Sequence, residues 1–132
     1  MQMNAMTIAG TTTSKTYDPT SVDSNVAVWK DRSGGIPVGF PTITASLREP
    51  GNAGGNYKAV FRLKIPVLET ISGSVNGFEP APTKAYDVQA IVEVIVPDRS
   101  TLAQRTELKN QLASVVNHAM FSALAVNLEQ VY

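Results

Sequence analysis

The sequence of 132 residues has no cysteine, a single histidine and no net charge. Without cysteine the chain forms no disulfide bonds and no thiolate metal sites. No apolar run is long enough to cross a bilayer, and residues 1–6 lack the cationic start and apolar centre of a secretory signal. These absences predict an ordinary folded protein with no membrane partner.

Motifs for enzymatic chemistry are also missing. The sequence contains no nucleotide-binding glycine loop, no metal-ligand cluster and no nucleophile motif. His118 has no second ligand or partner base nearby in sequence, so a structural role is expected. Asp87 and Glu93 lie roughly 20 Å apart along one predicted strand, which is too far for a paired-carboxylate mechanism. We therefore predict no cofactor, no metal, no small-molecule substrate and no enzymatic activity.

The charge total neither supports nor excludes nucleic-acid binding. Eleven cations balance eleven carboxylates, whereas proteins that bind nucleic acid through bulk charge are usually basic. An RNA-binding function therefore requires the cations to be segregated on one surface. Residues 48–64 contain four cations and only Glu49 as an acid, so the sequence allows such a surface.

The region between Phe40 and Pro66 predicts a long β-hairpin with two chemically different faces. Side chains on a strand alternate between opposite sides. One predicted face carries hydroxyls and cations, and the other carries apolar residues that need a cover. The polar face consists of Thr42, Thr44, Ser46, Arg48, Lys58, Arg62 and Lys64. Taken alone, such a cation row is also typical of the solvated face of a sheet.

The remaining chain predicts short strands first and helices last. Weak strand signals occur in residues 6–9 and 26–29, with a turn at Asp18 and Pro19. Residues 85–96 alternate again, with Asp87, Gln89, Ile91 and Glu93 on the polar side. After Pro97 the apolar spacing becomes helical, with Ser100 as the expected N-cap and either one bent helix or two, broken near residues 114–117.

This order predicts an α+β fold with one domain over residues 1–132. Residues 1–35 would form short N-terminal strands, residues 36–97 the main antiparallel sheet, and residues 98–132 the helices and tail. A loop over residues 68–84 is longer than most connections in compact domains. The helices have a broad apolar stripe, and the residues alone do not decide whether it packs on their own sheet or on a second copy.

Several strings resemble the coat proteins of single-stranded RNA bacteriophages of the levivirus type. Two of them belong to the first half of the chain: VAVW at 26–29, and TASLR at 44–48, which is followed by a Gly/Asn turn and a basic strand from residue 57. The others are VNGFEP at 75–80, AY at 85–86 and VNLEQVY at 126–132. No single string is diagnostic, but their order and spacing cover essentially the whole chain.

This resemblance implies an N-terminal β-hairpin, an antiparallel sheet and two C-terminal helices that interlock with a second subunit, so that the two sheets become continuous. It further implies a homodimer that builds a T=3 icosahedral shell around genomic RNA in the bacterial host cytoplasm, as part of the virion. The dimer would also bind an RNA hairpin as a translational repressor and packaging signal. A non-assembling dimeric RNA-binding regulator is the alternative, and a small α+β enzyme is a third interpretation.

Carried over by position, the resemblance also implies three groups of site residues. The RNA-binding group is Thr42, Thr44, Ser46, Arg48, Lys58, Val60, Arg62, Lys64, Asp87 and Gln89. The inter-dimer loop group is Gly73, Val75, Asn76, Gly77, Phe78 and Pro80. The dimer-interface group is Leu108, Leu112, Val116, Met120 and Leu124. A one-residue slip would instead turn Tyr86 toward RNA and Asp87 inward, and the cost of burying a carboxylate argues against that slip.

Overall fold

The computed structural model describes residues 1–69, 73, 77 and 80–132. Within these residues the chain forms a six-stranded sheet followed by two α-helices. The elements are β1 (Met6–Ile8), β2 (Lys15–Asp23), β3 (Val26–Lys30), β4 (Thr42–Arg48), β5 (Asn56–Glu69), β6 (Thr83–Pro97), α1 (Leu102–Val116) and α2 (Ala119–Ala125). This order confirms the predicted α+β fold with an N-terminal hairpin and C-terminal helices.

The sheet is antiparallel throughout, and its strand order follows the chain from β1 to β6. The turn predicted at Asp18 and Pro19 is wrong, because both residues lie inside β2 and pair with Lys30 and Trp29. The pairing shifts between Pro19 and Ser21. A bulge is one of the few places where a strand accepts proline, which has no N–H to donate.

The two longest strands, β5 and β6, extend further than the sequence predicted. The expected loop over residues 68–84 begins later and ends earlier, since Leu68 pairs with Lys84 and Glu69 pairs with Thr83. A second register shift lies between Val67 and Leu68. Alternation within β6 is interrupted at this shift, which brings Lys84 onto the same face as Asp87.

The helical region is two helices rather than one. Thr101, and not Ser100, is the N-cap of α1, where Thr101 and Gln104 form a reciprocal capping box. Both residues are chemically able to cap, but only Thr101 has a glutamine three residues later, which is the capping-box pattern and would have identified it from the sequence. The chain breaks after Val116, and His118 becomes the N-cap of α2 by accepting a hydrogen bond from the Met120 N–H through Nδ1 at 3.2 Å. No described helix is long and apolar enough to span a membrane.

Very little of the chain is buried. Among the described residues only Tyr17, Ile43 and Asp31 are buried, and neither helix contributes a buried residue. The accessible surface is 10297 Å² for a mass of 14.1 kDa, whereas a monomeric protein of that mass exposes about 6,700 Å². The chain therefore keeps open a large area that a self-contained domain would cover.

Candidate nucleic-acid interface

Cross-strand pairing sorts the sheet into two faces. Directly opposite residues lie on the same side of a sheet, and β5 pairs Thr44 with Arg62 and Arg62 with Ile91 in one row. We call the polar side the cationic face; it includes Asp18, Ser21, Asp23, Val26, Val28, Lys30, Thr42, Thr44, Ser46, Arg48, Lys58, Val60, Arg62, Lys64, Pro66, Lys84, Asp87, Gln89, Ile91, Glu93 and Ile95. The other side, the apolar face, includes Ile43, Ala45, Leu47, Phe61, Leu63, Ile65, Tyr86, Val88, Val92 and Val94.

The structure brings all ten sequence-predicted RNA-binding residues onto the cationic face. Four of them lie on β4, four on β5 and two on β6. The slipped register does not occur, because Asp87 pairs opposite Pro66 while Tyr86 lies on the apolar face opposite Val67. The common location of these side chains is a property of the fold, and their contact with RNA remains a prediction.

Both carboxylates of the cationic face on β6 are neutralised by lysines. Lys58 Nζ lies 2.9 Å from Glu93 Oε1. Asp87 Oδ2 lies 2.8 Å from Lys84 Nζ and 3.4 Å from Lys64 Nζ. The hydrogen bond from Lys84, with a smaller contribution from Lys64, holds the pKa of Asp87 below its usual value. Asp87 therefore stays ionised and engaged at neutral pH, which leaves it less available to bases than its sequence position suggested.

Other cations on this face have no such partner. In the described part of the chain, Arg62, Arg48 and Lys30 form no ion pair. Arg62 occupies the middle of β5, between Thr44 on one side and Ile91 on the other. An unpaired guanidinium in the middle of a sheet, beside hydroxyl groups, is suited to bind a phosphate. Arg62 is therefore the strongest phosphate-binding candidate on the face.

Sequence reasoning missed several members of this face. Lys30 lies just after the short strand that the sequence predicted at residues 26–29, but the observed strand β3 includes it. Its pairing with Thr42 places it beside the predicted cations. Lys84 was assigned to a loop, and the β-bulge near residue 68 brings it to Asp87. Ile95 alternates with Glu93 in the sequence, so simple periodicity could have identified it.

The helices and much of the apolar face, especially along β6, are open to solvent, although Ile43 on β4 is buried. Tyr86 and Val88 of β6 are 59% and 54% exposed, and no extensive contact joins either described helix to the sheet. Of the predicted interface residues, Leu108, Val116, Met120 and Leu124 are exposed and Leu112 is half-buried. The helices therefore do not provide the cover that the apolar face needs.

The predicted inter-dimer loop is described only in part. Gly73, Gly77 and Pro80 are exposed, and Gly77 has a positive φ of 78°, a conformation that favours glycine. Val75, Asn76 and Phe78 lie outside the described residues.

The family model for the levivirus coat protein matches residues 1–132. The chain belongs to the levivirus coat protein family. It is therefore a structural capsid protein and a component of the virion rather than an enzyme, which confirms the sequence-based family assignment. The comparison with curated proteins gives no match.

Solved structures of phage particles have the same fold as this coat protein. The virus-like particle of bacteriophage ESE058 is similar with a TM-score of 0.89 and 25% identity, covering 100% of both chains. The virus-like particle of Beihai levi-like virus 21 is similar with a TM-score of 0.87 and 21% sequence identity, and the match covers 100% of this chain and 99% of the other. A third structure is described as an unassembled virus coat protein dimer and bacteriophage RNA-binding dimer. It is similar with a TM-score of 0.64 and 18% sequence identity, and the match covers 97% of this chain and 94% of the other. Such assemblies support oligomerisation of this coat protein.

Proposed function

We propose that this coat protein forms a homodimer, that the dimers assemble into an icosahedral shell, and that the cationic face of each dimer binds single-stranded RNA inside the shell. The observation that carries the proposal is the sorting of the sheet into an uncovered apolar face and an open cationic face. One face requires a protein partner, and the other is suited to a polyanion.

The free edge of β6 supports the dimer. This strand is 15 residues long and pairs only with β5 among the described strands. A long exposed edge is a template for pairing with another chain. Antiparallel pairing of two β6 strands around a two-fold axis would join the sheets, and it would place the helices of each copy near the partner's apolar face.

The amount of uncovered surface fits an obligate partner. The chain exposes roughly half as much area again as a monomer of its size, and interfaces of obligate dimers commonly exceed 2,000 Å² in total. The exposed helix residues Leu108, Val116, Met120 and Leu124 would supply the apolar groups that cover the sheet. Burial of this area would provide most of the free energy of dimerisation.

The chemistry of the cationic face supports RNA as its ligand. Arg48, Arg62 and Lys30 would bind phosphates and provide salt-dependent affinity. Thr44 and Ser46 are half-buried and lie opposite Arg62 and Val60, respectively. There they would hydrogen-bond or pack around unpaired bases, which is how RNA loops are usually recognised. A solved relative is itself described as an RNA-binding dimer.

The finer functions in this proposal come from the family resemblance. The dimer would bind a hairpin in the genome, repressing translation of the replicase and marking the RNA for packaging. Assembly would take place in the host cytoplasm, and the shell would have T=3 geometry, with the loop around Gly73, Gly77 and Pro80 contributing the contacts between dimers. These proposals rest on the family resemblance together with the open cationic face.

A pair of matched alanine variants tests the RNA-binding proposal. Arg62→Ala removes an unpaired cation from the cationic face, whereas Lys109→Ala removes an exposed cation from α1. Binding of a labelled single-stranded RNA is measured over a range of salt concentrations with nucleic-acid-free protein. We expect Arg62→Ala to weaken binding and to flatten the log–log salt slope by about 0.7 per lost phosphate contact, with Lys109→Ala unchanged. Equal slopes for both variants and the wild type would contradict the proposal.

A further inference from the structure

Two large apolar side chains interrupt the cationic face along β6. Ile91 is 55% exposed and Ile95 is 54% exposed, and Glu93 lies between them on the same side of the strand. We call Ile91 and Ile95 the isoleucine stripe. They lie roughly 13 Å apart by strand rise. Single exposed apolar residues are common on protein surfaces, so a binding role for the stripe depends on the groups beside it.

Each isoleucine of the stripe has a cation directly opposite it on β5. Ile91 pairs with Arg62, and Ile95 pairs with Lys58. Directly opposite side chains in an antiparallel pair have Cβ atoms about 4.5 to 5.5 Å apart. The face therefore offers an apolar contact beside an unpaired guanidinium at Ile91, and an apolar contact beside the Lys58–Glu93 ion pair at Ile95.

A nucleotide combines these two chemistries. Its base has an apolar face that packs on side chains when the base is unpaired, and its phosphate carries the negative charge. An apolar protein surface fits this arrangement poorly, because it would desolvate Arg62, which has no ion-pair partner among the described residues, without neutralising it. The charge complementarity therefore favours single-stranded RNA as the occupant.

We propose that the isoleucine stripe packs against the faces of unpaired RNA bases while the unpaired Arg62 beside Ile91 holds an adjoining phosphate. This inference rests on the proposed binding of RNA to the cationic face and adds a base-contacting surface to it. Because β6 is the free edge at which the dimer would form, the stripes of two copies would lie close together near the two-fold axis.

The double variant Ile91→Thr/Ile95→Thr tests the proposal, because threonine keeps the β-branch that suits a strand but removes apolar contact area. Ile8→Thr is the matched control, since Ile8 is a 41% exposed residue on β1. The probes are a short single-stranded RNA of mixed sequence and the same strand annealed to its complement. Binding of both is measured against salt concentration, with the oligomeric state checked by size-exclusion chromatography.

We expect the double variant to bind the single strand roughly tenfold more weakly, from the apolar contact it loses. Its salt slope should be unchanged, because no phosphate contact is removed. Duplex binding and the Ile8→Thr control should match the wild type. If the threonine pair does not fold, Ile91→Val/Ile95→Val should still weaken single-strand binding roughly threefold.

Three outcomes would overturn the inference in distinguishable ways. Wild-type affinity in the stripe variants, with weakened binding in Arg62→Ala, would show that the stripe does not contact RNA while the RNA-binding proposal stands. Wild-type affinity in Arg62→Ala as well would remove the RNA-binding proposal itself. Dissociation of the oligomer with RNA affinity per subunit unchanged would show that the stripe is a protein interface.

Discussion

Lys58 and Glu93 form an ion pair across β5 and β6, with Nζ and Oε1 2.9 Å apart. Both side chains are only partly exposed, at 34% and 41%, and both lie on the cationic face. The pair neutralises a lysine that the sequence alone would count as a free phosphate ligand. The number of cations available to RNA is therefore smaller than the row Lys58, Arg62 and Lys64 suggests.

The first prediction is that Glu93→Gln strengthens RNA binding. The substitution releases Lys58 to contact a phosphate and removes a repulsive carboxylate. We expect a higher affinity and a log–log salt slope steeper by about 0.7, measured with a single-stranded RNA. In a Lys58→Ala background the same substitution should leave the slope unchanged, and an equal steepening there would contradict the role of the ion pair.

The second prediction concerns the buried Asp31. Its Oδ1 accepts a hydrogen bond from the Ser33 N–H at 2.9 Å, and its Oδ2 lies 3.6 Å from Lys15 Nζ. These contacts, the hydrogen bonds from Ser33 first, hold the pKa of Asp31 below its usual value. The stabilisation is therefore present above the unfolded-state pKa of about 3.9 and is lost as the pH falls through the lower folded-state pKa.

Asp31→Asn tests this dependence, because asparagine keeps an acceptor for Ser33 but loses the charge that faces Lys15. We expect the variant to be less stable at neutral pH by about 1 to 3 kcal/mol. The difference from wild type should shrink once the pH falls below about 4. Urea unfolding of both proteins across this range provides the measurement, and a difference that does not change with pH would show that Asp31 acts without its charge.

The third prediction is that the capping box of α1 contributes measurably to stability. Thr101→Ala removes the acceptor for the Gln104 N–H and should destabilise the fold by about 1 kcal/mol. Thr101→Ser is the control, because serine retains the capping hydroxyl. In thermal unfolding, the Thr101→Ala variant should have a lower midpoint temperature than both the Thr101→Ser variant and the wild type. Identical midpoints for all three proteins would indicate that the cap is dispensable.

The fourth prediction separates the shell protein from the non-assembling regulator. Deleting residues 73–80 should leave a soluble dimer that forms no closed shells, since a shell needs contacts between dimers and a free regulator does not. Electron microscopy and size-exclusion chromatography of the purified protein distinguish these species. Intact particles from the deletion variant would contradict the assignment of the loop.

Strand alternation made much of the candidate interface predictable. The period of two along β4, β5 and β6 placed Thr44, Arg62 and Gln89 on one face before any pairing was known, and the cost of burying Asp87 favoured the correct register. Irregular features were harder to predict. Pro19 inside β2, and Lys84 beside Asp87, both depend on register shifts that alternation does not reveal.

Pairings between distant segments were also beyond the sequence. The Lys58–Glu93 ion pair depends on the exact register of β5 against β6, and residues 35 positions apart give no local signal of it. At the start of α1, Ser100 and Thr101 are both competent caps. The register of β5 against β6 is a tertiary property that the residue types do not reveal, whereas the capping-box pattern of Thr101 and Gln104 is a local signal that the sequence carried.

The most direct test of the account is size-exclusion chromatography of the protein produced in bacteria, monitored at wavelengths for protein and for nucleic acid. We predict elution as megadalton particles with an absorbance ratio rich in nucleic acid, because dimers assembled around RNA carry it through purification. Elution as a small, nucleic-acid-free dimer would contradict shell assembly, and a monomer would contradict the dimer that the uncovered apolar face requires.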